Sequence, residues 1–262
     1  MIIDSHQHVM LPTESQLALM DTAGVACTVL FSSLPHPERA TDLDSLDREM
    51  AVLTGLLSGE PYPIEKRRLV VAEQVHAIAR RPDRFVGFGA VPLGLSYDDT
   101  GAWVGEQVLA HGFRGLGEFT MPAGHVALLD VIFAVSAVHG DLPLWVHTQD
   151  PFTLDDIREL AALARRYPSV PVIFGHLGGW HWGDTIRLAH DLPQAYLDLS
   201  GTNTTLAPAI AIRTLPARTL FSSDAPYGNP LVARTMVEQV TADPAVRERV
   251  LGGTIADLLR LP

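Results

Sequence analysis

The chain has 262 residues, is 47% hydrophobic and carries a formal net charge of −11. It can therefore bury one large core, and its size fits a single α/β barrel as well as two small domains. The acidic balance argues against nucleic acid or a membrane surface as a partner, because both are bound through basic clusters, and the one cysteine, Cys27, excludes an internal disulfide or a cysteine zinc cluster.

The first predicted element is a buried strand at residues 1–9 with two histidines one residue apart. Alternate residues of a strand point to the same side, so His6 and His8 aim at one point. Two converging imidazoles can serve as a pair of metal ligands. The alternative is that they are simply two polar residues at the point where a strand emerges. No targeting segment or long apolar run is recognised, so a cytoplasmic location is expected.

Seven further short apolar runs follow, and segments with helical spacing separate most of them. The predicted strands lie at residues 1–9, 27–33, 85–91, 113–119, 142–148, 171–177, 195–201 and 219–225. Eight strands with intervening helices predict a (β/α)8 TIM barrel, one domain over residues 1–262. A doubly wound open sheet is the alternative, but it needs a glycine-rich loop where His6-Gln7-His8 stands.

One connection, residues 34–66, is longer than the rest. Its apolar residues recur at helical intervals, and Asp42 and Asp44 suit a helix N-terminus. We predict an inserted helical hairpin or cap over the carboxyl ends of the strands; a helix packed outside the barrel is the alternative. The single lysine, Lys66, lies in a polar stretch and not in a buried strand, which excludes Schiff-base chemistry.

Polar residues recur where the predicted strands end, which is where a parallel barrel carries its catalytic groups. They are His6 and His8 on strand 1, Glu118 on strand 4, His147 on strand 5, His176 on strand 6 and Asp224 on strand 8. Each alone has a structural explanation, such as a turn at Asp224 or a pair between Glu118 and Arg114. Together, four imidazoles and two carboxylates form a ligand set for zinc, manganese, iron or another divalent cation.

The ordered set resembles the amidohydrolase superfamily, and within it the amidohydrolase 2 branch of barrel metal-dependent hydrolases and decarboxylases. The resemblance covers nearly the whole chain. Besides the His-x-His pair, the segments that carry it are residues 81–88, 175–179, 196–201 and 220–228, which are similar to the branch's strand 3 region and strands 6, 7 and 8.

The resemblance implies that His6, His8, His147 and Asp224 are metal ligands. His176 is implied as a ligand of a second ion or as the residue that holds the attacking water. Glu118 has a counterpart in the TatD-like hydrolases of the superfamily, whereas the decarboxylases of the branch generally lack an acid there. It is therefore either a carboxylate that bridges two ions or a supporting acid beside one.

The expected chemistry is hydrolysis of an amide, a lactone or another ester with one or two ions, zinc in the first place and manganese or iron as alternatives. Asp224 would accept the proton of the activated water, and the metal or His176 would polarise the carbonyl. A nonoxidative decarboxylase with one ion and a substrate-binding arginine is the alternative. A metal-stabilised scaffold without turnover is a third reading.

The substrate is expected to be small, and cyclic or aromatic if aromatic side chains stack on it. The candidates are Trp180, His181, Trp182 and Tyr227, with His125 just past strand 4. The aromatic residues could equally cap the barrel. A homodimer is compatible with the sequence.

Overall fold

The structure, a computed structural model, describes residues 1–60 and 62–261. Eight parallel strands hydrogen-bond to one another in chain order and alternate with helices, which confirms the predicted TIM barrel. Pro61 of the predicted insertion and Pro262 of the predicted domain lie outside the described residues.

Every strand falls within a run predicted from the sequence. The strands are β1 (Ile3–His8), β2 (Cys27–Phe31), β3 (Phe85–Gly89), β4 (Gly115–Phe119), β5 (Leu144–His147), β6 (Val172–Gly175), β7 (Ala195–Asp198) and β8 (Thr219–Leu220). All eight are shorter than their apolar runs. In β2, β3, β7 and β8 the residues that are lost are the last ones, which leave the hydrogen-bonded sheet and enter the loops of the barrel mouth.

The helices surround this sheet and close its lower end. They are α1 (Thr13–Ala23), α2 (Leu43–Leu57), α3 (Ile64–Arg80), α4 (Tyr97–Trp103), α5 (Leu129–Val138), α6 (Leu154–Arg166), α7 (Trp182–His190), α8 (Leu206–Thr214), α9 (Pro230–Val240), α10 (Pro244–Glu248) and α11 (Thr254–Leu259). In the part of the chain that the structure describes, none of these helices combines the length and apolar character that a bilayer crossing needs.

The barrel closes between β1 and the segment that follows β8. Ser5 N–H donates to the Phe221 carbonyl at 2.9 Å, and His8 N–H donates to the Ala225 carbonyl at 2.8 Å. In the other direction Asp224 N–H donates to the His6 carbonyl at 2.8 Å. The seam therefore holds the His-x-His pair and Asp224 side by side.

A buried carboxylate, Asp4, reinforces this seam. It accepts hydrogen bonds from Gln7 Nε2 at 2.7 Å, from Ser223 N–H at 2.9 Å and from Ser223 Oγ at 2.6 Å. Burial raises the pKa of Asp4 to about 6 although these hydrogen bonds oppose the shift. Asp4 thus fixes the residues next to His6, His8 and Asp224 from below.

Aromatic and aliphatic side chains fill the barrel interior. Phe31, Phe88 and Trp145 are fully buried there and pack with Ile255 and Leu259 of α11 in one cluster. The helix therefore plugs the end of the barrel opposite the mouth. Since the interior is packed, chemistry is confined to the mouth.

The insertion after β2 is simpler than predicted. It holds a three-residue 3₁₀ turn (Pro37–Arg39) and one long helix, α2, rather than a helical hairpin, because α3 already begins at Ile64. Asp42 and Ser45 form a capping box that starts α2. Among the residues of this helix only Gly55 is buried, so most of its side chains remain in contact with solvent.

His36 fastens this insertion to the body of the protein. Its Nδ1 lies 3.0 Å from Glu38 Oε1 and its Nε2 lies 3.2 Å from Glu73 Oε1 of α3. Its backbone N–H donates to Glu49 Oε2 of α2 at 2.7 Å. Hydrogen bonds to Glu38 and Glu73 outweigh burial and raise the pKa of His36 to about 9.

We therefore expect the free energy of unfolding to decrease in alkaline solution. Because the folded pKa of about 9 exceeds the ordinary 6.5, the imidazolium stabilises the fold fully below pH 6.5, and this contribution disappears as the pH rises through about 9. His36→Gln should lower the unfolding free energy in the acidic part of this window by about 1–2 kcal/mol and weaken the alkaline loss. Thermal unfolding against pH measures this, with His76→Gln, at an exposed position of α3, as control. An alkaline loss equal to that of the parent in His36→Gln would contradict it.

Candidate metal centre

The barrel mouth brings all six predicted ligand residues together. His6 and His8 come from β1, Glu118 from β4 and His147 from the end of β5. His176 follows β6 directly, and Asp224 follows the seam after β8. Glu118 contacts the histidines, not the Arg114 partner that the sequence left open.

The first set of donors consists of His6, His8 and Asp224, together with one oxygen of Glu118. His8 Nε2 lies 3.3 Å from Asp224 Oδ1 and 3.2 Å from Glu118 Oε2. His6 Nε2 lies 3.8 Å and 3.5 Å from the same two atoms. Ligand atoms about 2.0–2.2 Å from a tetrahedral ion lie about 3.3–3.6 Å apart, so these spacings fit one cation.

An unpartnered atom points to the same conclusion. His6 Nε2 is buried and makes no hydrogen bond among the described residues, although a buried polar atom left without a partner is costly. His6 Nε2 is also one of the ligand atoms that lie within 4.8 Å of one another in the group of His6, His8 and Asp224. A cation held by these nitrogen and oxygen donors would satisfy this atom.

The second set of donors lies on the other side of Glu118. Its Oε1 is 2.8 Å from His147 Nδ1 and 3.6 Å from His176 Nε2. These three residues also bring ligand atoms within 4.8 Å of one another. The two oxygens of one carboxylate therefore face two different groups of imidazoles.

Backbone carbonyls orient two of the rings. His8 Nδ1 donates to the Ser32 carbonyl at 3.1 Å, and His147 Nε2 donates to the Asp150 carbonyl at 3.0 Å. Because a carbonyl only accepts, the proton of each neutral ring sits on the outward nitrogen. The lone pair of the inward nitrogen then faces the centre, as in metal ligands oriented by a neighbouring acceptor.

The charges of the centre depend on one another. Burial opposes ionisation of Glu118, but the surrounding imidazoles of His147, His176, His6 and His8 keep its pKa well below the ordinary value. Burial likewise opposes ionisation of Asp224, and its proximity to His6 and the hydrogen bond from His8 keep its pKa low. Both carboxylates are therefore ionised at neutral pH.

The pKa values of two of the imidazoles are shifted upward. Burial alone would lower the pKa of His8, but hydrogen bonds to Asp224 and Glu118 raise it to about 10. Burial also opposes protonation of His176, and its hydrogen bond to Glu118 raises the pKa to about 9. A cation that binds here would replace these protons, since imidazole ligates only in its neutral form.

The backbone is strained at two of these residues. His176 and Asp224 have φ angles of 55° and 57°, and Leu177 also has φ 55°. The left-handed region costs roughly 1–2 kcal/mol for a residue with a Cβ, and such strain clusters at functional sites. These turns bring both side chains to the mouth, His176 directly after β6 and Asp224 four residues after β8.

Aromatic rings form the floor of the centre. The Trp145 ring centroid lies 4.1 Å from that of His6 and 5.1 Å from that of His176, and Phe31 packs edge-on to His6 at 4.7 Å. Trp145 and Phe31 are fully buried. They close the centre to water from below.

The predicted substrate residues occupy different places. Tyr227 lies beside the centre, with its ring centroid 5.9 Å from that of His8, and is 37% exposed. Trp180 is 76% exposed, His181 is half-buried, and Trp182 packs against the main core. His125 is exposed; its Nδ1 lies 2.9 Å from the Ala123 carbonyl.

Three further polar residues of the mouth were not singled out from the sequence. Ser200 contacts His176 Nδ1 at 2.9 Å, and Asp198 holds Ser200. Gln149 lies between two glycines, since a Cβ at Gly179 would lie 3.0 Å from its Cγ and a Cβ at Gly201 3.0 Å from its Oε1. Asp198 and Ser200 are two residues apart, the same alternation that drew attention to the two histidines of β1.

Comparison with solved structures gives the same barrel. The chain is similar to 2,6-dihydroxybenzoate decarboxylase from Rhizobium, with 18% identity, 99% of this chain and 98% of that chain covered, and a TM-score of 0.70. A dihydroxybenzoic acid decarboxylase from Polaromonas with bound manganese gives 18% identity, 99% and 97% coverage and a TM-score of 0.64. An amidohydrolase from Burkholderia multivorans with bound zinc gives 16% identity, 100% coverage of both chains and a TM-score of 0.66.

The family follows from the sequence itself. The model of the amidohydrolase family that corresponds to the amidohydrolase 2 branch matches residues 3–261. The chain therefore belongs to this family, and the predicted resemblance is confirmed. A search of curated proteins finds no match. Since the structural neighbours include both decarboxylases and amidohydrolases, the choice between the two reactions depends on the residues of this chain.

Proposed function

We propose that the protein is a metal-dependent hydrolase that uses an activated water on an amide, a lactone or another ester of a small cyclic or aromatic substrate. The observation that carries the proposal is the position of Glu118. Its two oxygens face His6 and His8 on one side and His147 and His176 on the other. A carboxylate in this place suits a centre with two cations, and the decarboxylases of the branch generally lack an acid on this strand.

His6, His8 and Asp224 would hold the first cation, and His147 and His176 the second, with Glu118 between them. Nitrogen and carboxylate donors suit zinc, which we propose as the resident metal; manganese and iron accept the same donors. The manganese and zinc of the two neighbours named above support a divalent cation of this kind.

A divalent cation bound in this centre would supply Lewis acidity and would lower the pKa of a water from 15.7 to about 7. Asp224 is the proton acceptor for that water, because its carboxylate is kept ionised and its turn holds it over the mouth. The carboxyl group can then pass the proton to the leaving group, which is general acid–base catalysis by one residue.

The other residues orient and shield the reaction. His147 and His176 would hold their cation where negative charge develops on the substrate carbonyl oxygen, so that this charge is stabilised. Trp145 keeps water from reaching the centre from the barrel interior. Electrostatic interactions are stronger in such a dry environment than in water.

For the substrate body we propose contacts with Tyr227 and Trp180. Tyr227 borders the centre directly, and Trp180 offers a large exposed indole at the same mouth. Flat rings stack well on such side chains. His181 and His125 remain proposed contacts at the rim, and Trp182, which packs against the core, would support the Trp180 loop.

Decarboxylation of a small aromatic acid is the second candidate, and the decarboxylases among the structural neighbours favour it. It requires an arginine side chain that binds the substrate carboxylate. Arg67 at the start of α3 is half-buried, and its guanidinium carbon lies 5.7 Å from the centroid of Tyr62. This residue is the proposed carboxylate partner in that case.

A product assay separates the two reactions. The zinc- or manganese-loaded protein is incubated with a panel of cyclic and aromatic lactones, amides and esters, and in parallel with hydroxylated aromatic acids; the metal-stripped protein is the control. We expect metal-dependent release of carboxylate products from the first panel. Release of carbon dioxide from the second panel without hydrolysis of the first would overturn the proposal in favour of the decarboxylase. A metal-loaded protein inert toward both panels would support the scaffold reading.

Three further expectations belong to the same proposal. We propose that α2 acts as a cap at the mouth, that the protein forms a homodimer and that it works in the cytoplasm. Glu38 and Glu49 act electrostatically on Tyr227, which supports a position of the insertion near the centre.

A further inference from the structure

The rings of His6 and His176 are oriented differently from those of His8 and His147. Their outward nitrogens face the hydroxyl of Ser200 rather than a carbonyl. His176 Nδ1 lies 2.9 Å from Ser200 Oγ, and His6 Nδ1 lies 3.5 Å from it, at the outer limit of a hydrogen bond. A hydroxyl can donate or accept, so Ser200 alone leaves the position of the ring protons undecided.

Asp198 determines whether the Ser200 hydroxyl donates to the two imidazoles or accepts from them. This buried carboxylate accepts from Ser200 N–H at 2.9 Å, from His176 N–H at 3.2 Å and from Trp145 Nε1 at 3.3 Å. Since it is surrounded by three N–H donors, the carboxylate acts as an acceptor. It therefore also accepts the hydrogen bond that the Ser200 hydroxyl donates. The lone pairs of Ser200 Oγ are left for the two imidazoles.

We infer that Ser200, held by Asp198, is a positioning residue that keeps a proton on Nδ1 of His176 and of His6. Each ring then presents Nε2 to the centre: His6 Nε2 to Asp224 and Glu118, and His176 Nε2 to Glu118. One hydroxyl thus orients a ligand of each of the two donor sets. This role rests on the function proposed above.

The space around Ser200 is shaped for this arrangement. A Cβ at Gly201 would lie 3.0 Å from His176 Nδ1, and the φ of this glycine is +63°. Both the conformation and the close approach therefore require glycine next to Ser200. Ser200 and Asp198 are 2% and 0% exposed, which excludes bulk water as a competing partner for the rings.

The test measures the ring proton itself. In metal-free protein with 15N-labelled histidine, we expect a slowly exchanging Nδ1–H resonance of His176, assigned by its loss in His176→Asn. This proton is present whether the ring is neutral or charged, so the measurement does not depend on metal binding or turnover. A His176 ring whose proton sits only on Nε2 would overturn the inference in the parent protein, before any serine variant is needed.

Variants then connect the proton to the centre. Ser200→Ala should expose the Nδ1–H of His176 to rapid exchange and weaken zinc binding about 10–100-fold, measured by competition with a chelator. Ser136→Ala is the matched control, because Ser136 is equally buried but its hydroxyl donates only to the Leu142 carbonyl, away from the centre. Ser200→Thr, which keeps the hydroxyl, should restore both readouts.

Two results would contradict the role of Ser200. One is an unchanged Nδ1–H signal and unchanged zinc affinity in Ser200→Ala; the other is an equal loss in Ser136→Ala. Failure of the proposed function has a different signature. A protein with the protected Nδ1–H of His176 that neither binds zinc nor hydrolyses any substrate would refute the hydrolase and leave the hydrogen-bond assignment intact.

Discussion

Replacing Asp224 by asparagine is expected to abolish most turnover while the fold and much of the metal binding remain. The amide oxygen of asparagine can still occupy the position 3.3 Å from His8 Nε2, but an amide cannot accept a proton from water. General base catalysis contributes about 10²–10⁴-fold to the rate, and a loss of this size is the expected result. Steady-state turnover and metal content of the purified variant measure the two effects separately.

Asp150→Asn is the control for this experiment. Asp150 is exposed at the same mouth, and it contacts His147 through its backbone carbonyl rather than its side chain. Its substitution removes one negative charge without removing the proposed base, so turnover should stay close to that of the parent. Near-parental turnover of Asp224→Asn would exclude Asp224 as the proton acceptor and direct the search to His176.

The second large effect is expected for Glu118→Gln. Glutamine keeps one oxygen but presents an NH₂ group to the other set of donors, so it cannot serve two cations at once. The number of zinc ions per chain should fall from two toward one, and turnover should drop at least about tenfold. Metal analysis and turnover of the same preparation give the result.

Glu106→Gln is the comparison variant, because this side chain is 64% exposed and pairs loosely with Arg68. If Glu118→Gln kept both the metal content and the turnover of the parent, Glu118 would have no part in the chemistry. A hydrolase with two cations would then be unsupported, and a decarboxylase with one cation would be preferred.

The barrel was predictable because its signals are local and repeated. Each strand is a short apolar run, and the structure places all eight strands inside the predicted runs. The six polar residues were found for the same reason, since a polar side chain at the end of an apolar run stands out. Their convergence follows from parallel strands, whose carboxyl ends meet at one mouth.

Other features depend on contacts between distant residues. Ser200 and Asp198 follow the alternation of His6 and His8, but serine and aspartate at a strand end are ordinary turn formers. Their role becomes visible only when β6 and β7 place His176 beside them. The left-handed turns at His176 and Asp224 have only a weak local sign, because histidine and aspartate adopt positive φ more often than most residues but far less readily than glycine.

The insertion shows where helical spacing is insufficient. The apolar pattern over residues 34–66 correctly predicts a helix, but it does not tell where one helix stops and the next begins. Residues 64–66 belong to α3, which packs on the barrel. His36 contacts Glu49 of α2 and Glu73 of α3, which lie 13 and 37 positions away in the sequence. Such contacts form only when the chain folds and are not visible in the local sequence pattern.

Anomalous scattering from crystals of the zinc-loaded protein, recorded on both sides of the zinc absorption edge, tests the metal centre most directly. We predict a peak about 2.0–2.2 Å from the donor atoms of His6, His8 and Asp224, with a second peak beside Glu118, His147 and His176. A single peak at the first position would support a metal centre with one cation and contradict the second cation. No peak among these residues, or ligand side chains that point apart in the zinc-loaded crystal, would contradict the account.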